Sequence, residues 1–166
     1  MKEKMSLALN ATVLAAAVLC LAACGGMPRN LPPLEKDIPT MGLDPVQIEF
    51  IAALQRRIEQ ERRGDFAGQF AGATDFIRKQ EGLPEAYEAK KKLHQPFQVL
   101  SFRPDYIPKG DRDWTEVSGC GWIRNFLFRS REKLQLALSC EWDGRRWAFG
   151  FFSVMGPMGQ PPWKCK

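Results

Sequence analysis

An α+β fold, with helices first and an antiparallel sheet after them, is what the 166-residue sequence predicts. Three observations carry it. Apolar residues recur at helical spacing from residue 45 to about residue 94. Beyond position 95 lie 13 of the 18 aromatic residues, all five Trp among them, and alternation replaces that spacing. Asp143-Gly144 separates two alternating runs, the strongest short-range signal of a β-hairpin. The composition, 45% hydrophobic and 26% charged, is that of a globular chain. Five cysteines are too few for a disulfide scaffold, so burial supplies most of the stability.

The first helix begins at Asp44-Pro45, an N-cap followed by proline at the first helical position, with Gln47 placed as the capping-box partner. Phe50, Ile51, Leu54 and Ile58 form its apolar stripe, and it runs to about Arg63, where Gly64 stops it. Asp65 caps a second helix, in which Phe66, Phe70, Ala73 and Ile77 recur every three to four residues as far as Gly82. Gly68 and Gly72 would let another backbone approach closely. A third, shorter helix spans Pro84 to about His94, weakly amphipathic through Tyr87 and Leu93.

Strands are predicted over Phe97 to Tyr106, before a Pro108-Lys109-Gly110-Asp111 loop, and over Thr115 to Phe128, before a polar turn at Arg129-Ser130-Arg131. The hairpin then pairs Leu134–Trp142 with Arg145–Phe151. A two-residue type I′ turn at Asp143-Gly144 sets Trp142 opposite Arg145, Cys140 opposite Trp147, Leu138 opposite Phe149 and Leu136 opposite Phe151. That register puts the apolar residues on one face and pairs Glu141 with Arg146 on the other, an ion pair worth at most about 1 kcal/mol. The result is a curved antiparallel meander with the N-terminal helices packed on one face.

Residues 1 to 24 have a different character. Lys2 and Lys4 precede an apolar, Ala-rich run from Leu7 to Ala23, shorter than the roughly 20 residues of a spanning helix and suited to a signal-peptide core. Its end, Leu21-Ala22-Ala23-Cys24, resembles the lipobox of bacterial lipoproteins. The resemblance implies cleavage between Ala23 and Cys24 and lipidation of Cys24; a cut elsewhere or a retained anchor is the alternative. Leu19 is too large for the position before the cut, which sets Cys20 aside. Removing the first 23 residues, Lys2, Glu3 and Lys4 among them, takes the formal charge from +5 to +4 and leaves 143 residues. Several acyl chains at about 0.8 kcal/mol per buried CH₂ give stable anchoring, where a single chain is marginal. Gly25, rather than Asp, after the cysteine implies outer-membrane sorting, on the periplasmic face, in a diderm bacterium. The expected organisation is a signal peptide over 1–23, a lipidated, Pro-rich tether over 24–43, an α+β domain over 44–155 and a tail over 156–166. In extended form at about 3.1 Å per residue the tether would reach roughly 60 Å, unless part of it packs along the domain.

The order of elements, together with the Arg63-Gly64-Asp65-Phe66 junction, resembles the cystatin-like and NTF2-like cone folds over about residues 44 to 155. That likeness implies helices lying in the concavity of a curved sheet. It leaves two functions open: a non-enzymatic binding or accessory module, which we favour, and an NTF2-like pocket enzyme or small-ligand binder in the periplasm. The second needs an acid or base inside the cone, and no such residue is identified.

The mature chain keeps Cys120, Cys140 and Cys165 for a compartment where disulfides persist. A three-residue turn at Arg129–Arg131 would set Cys120 opposite Cys140, the favoured pair; a bridge involving Cys165, or none, remains open. One histidine and no C-x-x-C spacing argue against a metal site, and Asp111-x-Asp113 lacks the downstream oxygen ligands of a calcium loop. His94, at the end of a Lys90-Lys91-Lys92 helix, suits the helix dipole better than catalysis. With no nucleophile or nucleotide motif present, no catalytic residue and no cofactor are assigned. Arg56-Arg57, Arg62-Arg63, Lys90–Lys92 and Arg145-Arg146 read as solvated faces, with contact to anionic lipid or another anionic envelope component as the functional alternative. The expected partners are therefore a bilayer through acylated Cys24 and an envelope protein or anionic polymer, with nucleic acid excluded by export. Trp114, Trp122 and Trp163 would mark ligand or glycan stacking if exposed, although most tryptophans are expected in the core.

Overall fold

The computed structural model describes residues 38, 40–111, 114–127, 129–157 and 161–165. Ala23, Cys24 and most of the tether lie outside the described residues, as do Asp113 and Phe128. Helices α1 (Pro45–Arg63), α2 (Phe66–Ala71), α3 (Asp75–Glu81) and α4 (Pro84–His94) precede strands β1 (Phe97–Pro104), β2 (Trp114–Asn125), β3 (Arg131–Trp142) and β4 (Trp147–Val154). The strands form one curved antiparallel sheet in the order β1-β2-β3-β4, a simple meander, with helices packed against it.

Helix α1 is fixed at both ends by its sequence. Asp44 accepts from the Gln47 N–H at 2.9 Å and Gln47 reaches back to the Asp44 N–H, so both arms of the capping box are made, a contribution of about 1 kcal/mol. Gly64, at φ +66°, ends it in the left-handed conformation that only glycine adopts freely. Phe50, Leu54 and Ile58 are buried against the concave face of the sheet, each contributing about 1.5–3 kcal/mol. Phe50 meets Trp147 edge-on at 5.1 Å, and the Trp147 indole donates to the Val46 carbonyl at 2.9 Å. The interior of the curve is filled by Leu136, Leu138, Val117 and Phe149, none more than 3% exposed.

The second predicted helix is two. Gly72 ends α2, residues Gly72–Thr74 lie along the edge of β4, and Thr74 caps α3. There the Phe149 N–H donates to the Gly72 carbonyl at 3.0 Å and the Thr74 N–H to the Phe149 carbonyl at 3.3 Å. β4 meets the backbone at Gly72 through these bonds, but the close approach expected at the glycine pair is not found: a side chain at Gly68 would meet those of Asp65 and Gln60, and one at Gly72 only makes ordinary contact with α2 itself. The predicted stripe survives the break, because Ala73 and Ile77 pack with Tyr87, Phe66, Phe70 and Phe151 in a second small cluster.

Both distal hairpins differ in register from the sequence reading. Trp142 pairs with Trp147 across a four-residue loop, and Cys140 faces Phe149 rather than Trp147. Asp143 is the cause: its carboxylate accepts from the N–H groups of Arg145 and Arg146, at 2.9 and 2.8 Å. Those bonds also hold the acid below the usual carboxylate range. Only Gly144 takes positive φ, so a type I′ turn, which needs two such residues, does not form. Arg146 pairs with Asp143 and not with Glu141. A bulge then sets Ser139 against Gly150 and Phe151, so that Leu138 faces Phe152 and Leu136 faces Val154.

Strand β2 ends at Asn125, short of Phe128, and Arg124 faces Arg131 across a six-residue connection. Cys120 consequently stands opposite Gln135, and Cys140 opposite Thr115. Alternation also puts the two cysteines on opposite faces of the sheet, Cys140 buried inside. The favoured Cys120–Cys140 bridge is therefore excluded. Cys120 is bonded to Cys165, with the Cα atoms 5.8 Å apart, and Cys140 is free. The tail is drawn to that bridge along β3, where Gln135 N–H donates to the Trp163 carbonyl at 2.9 Å and Leu134 bridges Lys164.

Candidate functional site

Two places gather polar chemistry. The first is a buried ionic cluster between α1, α2, α4 and β4. Arg57 and Glu61 continue the apolar stripe of α1 at the spacing of Phe50 and Leu54, so they enter the interior with it. Arg57 donates to Glu61 at 3.2 Å, to the Gln69 carbonyl at 3.3 Å, to the Tyr87 hydroxyl at 2.9 Å and to the Gly150 carbonyl at 3.1 Å. The Lys91 amine donates to Glu61 and, at 2.6 Å, to the Gln69 side chain. All five residues are at most 3% exposed. Burial first, and then repulsion from Arg57, pulls the Lys91 amine down to about 7, with Glu61 opposing. Burial raises the Tyr87 hydroxyl above its ordinary value. Arg57 and Lys91 are thus interior groups, which corrects the expectation that Arg56-Arg57 and Lys90–Lys92 are solvated faces.

A cavity of about 250 Å³ opens on this cluster, lined by Glu61, Lys91, Phe66, Phe97 and Phe126 among others. Every polar group of the cluster is already engaged with another. Its chemistry is cohesive, tying three helices to the edge strand.

The second place is a groove of about 670 Å³ between α3–α4 and the outer face of β2–β4. Trp114 stands directly opposite Glu141 in the ladder and Glu116 opposite Ser139. Since residues two apart share a face, these four form one continuous patch. Phe76, Ile77 and Phe151 supply the apolar wall, with Lys90 and His94 at the helix side. Trp114 is 58% exposed and Phe76 73%. Among the described residues neither Glu116 nor Glu141 makes an ion pair, while Lys90 is neutralised by Glu81. The groove offers two exposed aromatic surfaces, two carboxylates and three hydroxyl side chains, a set suited to a ligand that stacks and donates hydrogen bonds.

Of the sequence-selected tryptophans, Trp114, Trp122 and Trp163 are all exposed, which corrects the expectation that most lie in the core; Trp147 alone is buried. The structure joins Cys120 to Cys165 on the outer face and leaves Cys140 in the core, where burial pushes its thiol up to about 12. Ala23 and Cys24 fall outside the described residues. Among the described residues no group of three His, Cys, Asp or Glu could hold a metal ion, and no helix is long and apolar enough to cross a membrane. The groove was not legible in sequence, because it depends on α3 folding over the outer face. The ionic cluster had a signal in the Arg57–Glu61 spacing. No family model matches the chain, and no curated protein matches it in sequence.

Proposed function

We propose that this chain is a lipid-anchored protein of the cell envelope whose α+β domain is a non-enzymatic binding module. The observation that carries the reading is Leu21-Ala22-Ala23-Cys24 at the end of the apolar run. Two features of the domain support binding over catalysis. The concave face, where a cone-fold enzyme would place its acid or base, is filled by Leu136, Leu138 and the α1 stripe. The exposed aromatic groove lies on the opposite face, open to a partner. In a diderm bacterium the domain would work from the periplasmic face of the outer membrane.

Cys24→Ser is expected to abolish incorporation of labelled fatty acid and to leave a precursor or release the product from the membrane fraction. Normal mature mass with full membrane retention in that variant would rule the anchor out. For the module, a photo-crosslinker beside the groove at Gln80 should capture an envelope component. The exposed-residue variant Phe76→Ala/Trp114→Ala should reduce that capture several-fold without changing the melting temperature. Equal capture by both proteins would remove the groove from the binding surface.

A small-ligand binder is the second reading, favoured by the cavity beside Lys91 and Glu61. It separates from the first because Lys91→Met would affect that ligand and leave Trp114-dependent crosslinking unchanged.

A further inference from the structure

The β2–β3 connection is built unlike the other turns. Phe126 is 55% exposed and Leu127 73%, although nothing in a solvated hairpin requires two large apolar residues at its tip. The backbone there is well tied. The Asn125 side chain accepts from the Leu127 N–H at 3.0 Å, and the Phe126 N–H donates to the Pro96 carbonyl at 3.2 Å. The tip is therefore held against the end of α4, whose last turn presents Leu93 at 76% exposure.

Charge surrounds this apolar tip. Residues 124 to 133 carry four basic side chains, Arg124, Arg129, Arg131 and Lys133, against one acidic, Glu132. Arg124 and Arg131 stand directly opposite each other in the ladder. The Arg124 Nε is buried without a hydrogen-bond partner, and burial together with Arg131 lowers the pKa of its guanidinium. Arg129 is exposed and adopts φ +50°, the only described non-glycine residue at positive φ.

We propose that this tip docks onto an anionic phospholipid surface, with Phe126 and Leu127 entering the headgroup boundary and Arg124 and Arg129 facing lipid phosphates. Apolar side chains at the centre and cations at the rim match the two layers of such a surface in order of depth. Each arginine near an anionic leaflet adds attraction that salt screens. The inference rests on the anchored reading only for bringing a membrane within reach. Docking would turn a domain on a long tether into one held in a fixed orientation.

The test uses the full chain reconstituted in vesicles, with an environment-sensitive fluorescent amino acid at Leu127 and, as a control at the other end of β3, at Arg145. Brominated lipids report depth. Quenching at 127 but not at 145 is expected in vesicles of phosphatidylcholine mixed with phosphatidylglycerol, and is expected to be much weaker in phosphatidylcholine alone. Arg129→Gln should lower the docked-to-undocked ratio about fivefold. High salt should act in the same direction. No quenching at 127 in either vesicle overturns the proposal, and quenching independent of anionic lipid overturns the role of the arginines. Protection of the tip only in envelopes where a protein crosslinks to it would assign the tip to that protein instead. The probe reads the tip whether or not Cys24 is acylated, so the two readings fail separately.

Discussion

Glu61→Ala is expected to destabilise the domain by about 3–5 kcal/mol, because it leaves the buried Arg57 and Lys91 without their shared counter-ion. The two cations respond differently. Arg57 keeps only neutral partners, Tyr87 and the carbonyls of Gln69 and Gly150. Lys91 can lose its proton, since its amine is already held at about 7. Urea unfolding at neutral pH measures the loss, and a change under about 1 kcal/mol would show that the cluster is not held by its charges.

The same cluster predicts a pH dependence of definite sign. Lys91 has a folded value of about 7 against 10.5 unfolded, so between the two the unfolded chain binds more protons. Unfolding free energy therefore rises with pH from about 7, by at most about 1.4 kcal/mol per unit for one group. Cys140 and Tyr87, both raised by burial, act in the opposite sense once pH passes their ordinary values of 9.0 and 10.0. The readable window thus closes at about pH 8.5. Lys91→Met should flatten the rise within it, and a wild-type profile already flat there would contradict a proton-poor amine.

Helix α1 and the meander were legible because their signals are local: a capping box, a stripe at 3.6 spacing, and alternation between turn residues. The errors arose where a distant contact overrides such a signal. Phe66, Phe70, Ala73 and Ile77 read as one helix because they do share a face, but the backbone leaves the helix at Gly72 to pair with Phe149. Phe126 and Phe128 extend the alternation of β2 in the sequence and so carry the predicted turn too far along the chain; β2 ends at Asn125, and Phe126 and Leu127 belong to the tip. That displacement moved Cys120 away from Cys140. Of the two candidate sites, the ionic cluster could have been suspected from Arg57 and Glu61 on the α1 stripe. The groove joins residues from α3, α4 and three strands, and no local pattern announces it.

Cys165→Ser is expected to remove about 2–4 kcal/mol and to free the tail from β3. Cys120 and Cys165 are separated by 45 residues, a closure for which the chain-entropy relation gives about 4 kcal/mol as an upper figure. Part of that is offset because the segment before Cys165 keeps its own hydrogen bonds, Trp163 N–H to the Met155 carbonyl and Gln135 N–H to the Trp163 carbonyl. Non-reducing digestion should recover Cys120 and Cys165 in one linked fragment. Alkylation of the native protein without reductant should leave Cys140 unmodified, since it is fully buried and its thiol is raised to about 12. Hydrogen exchange of the Cys165→Ser variant should then speed up at Gln135 and Trp163 while Leu136 and Leu138, in the filled interior, stay protected. Equal acceleration at all four would mean that the bridge holds the sheet and not only the tail.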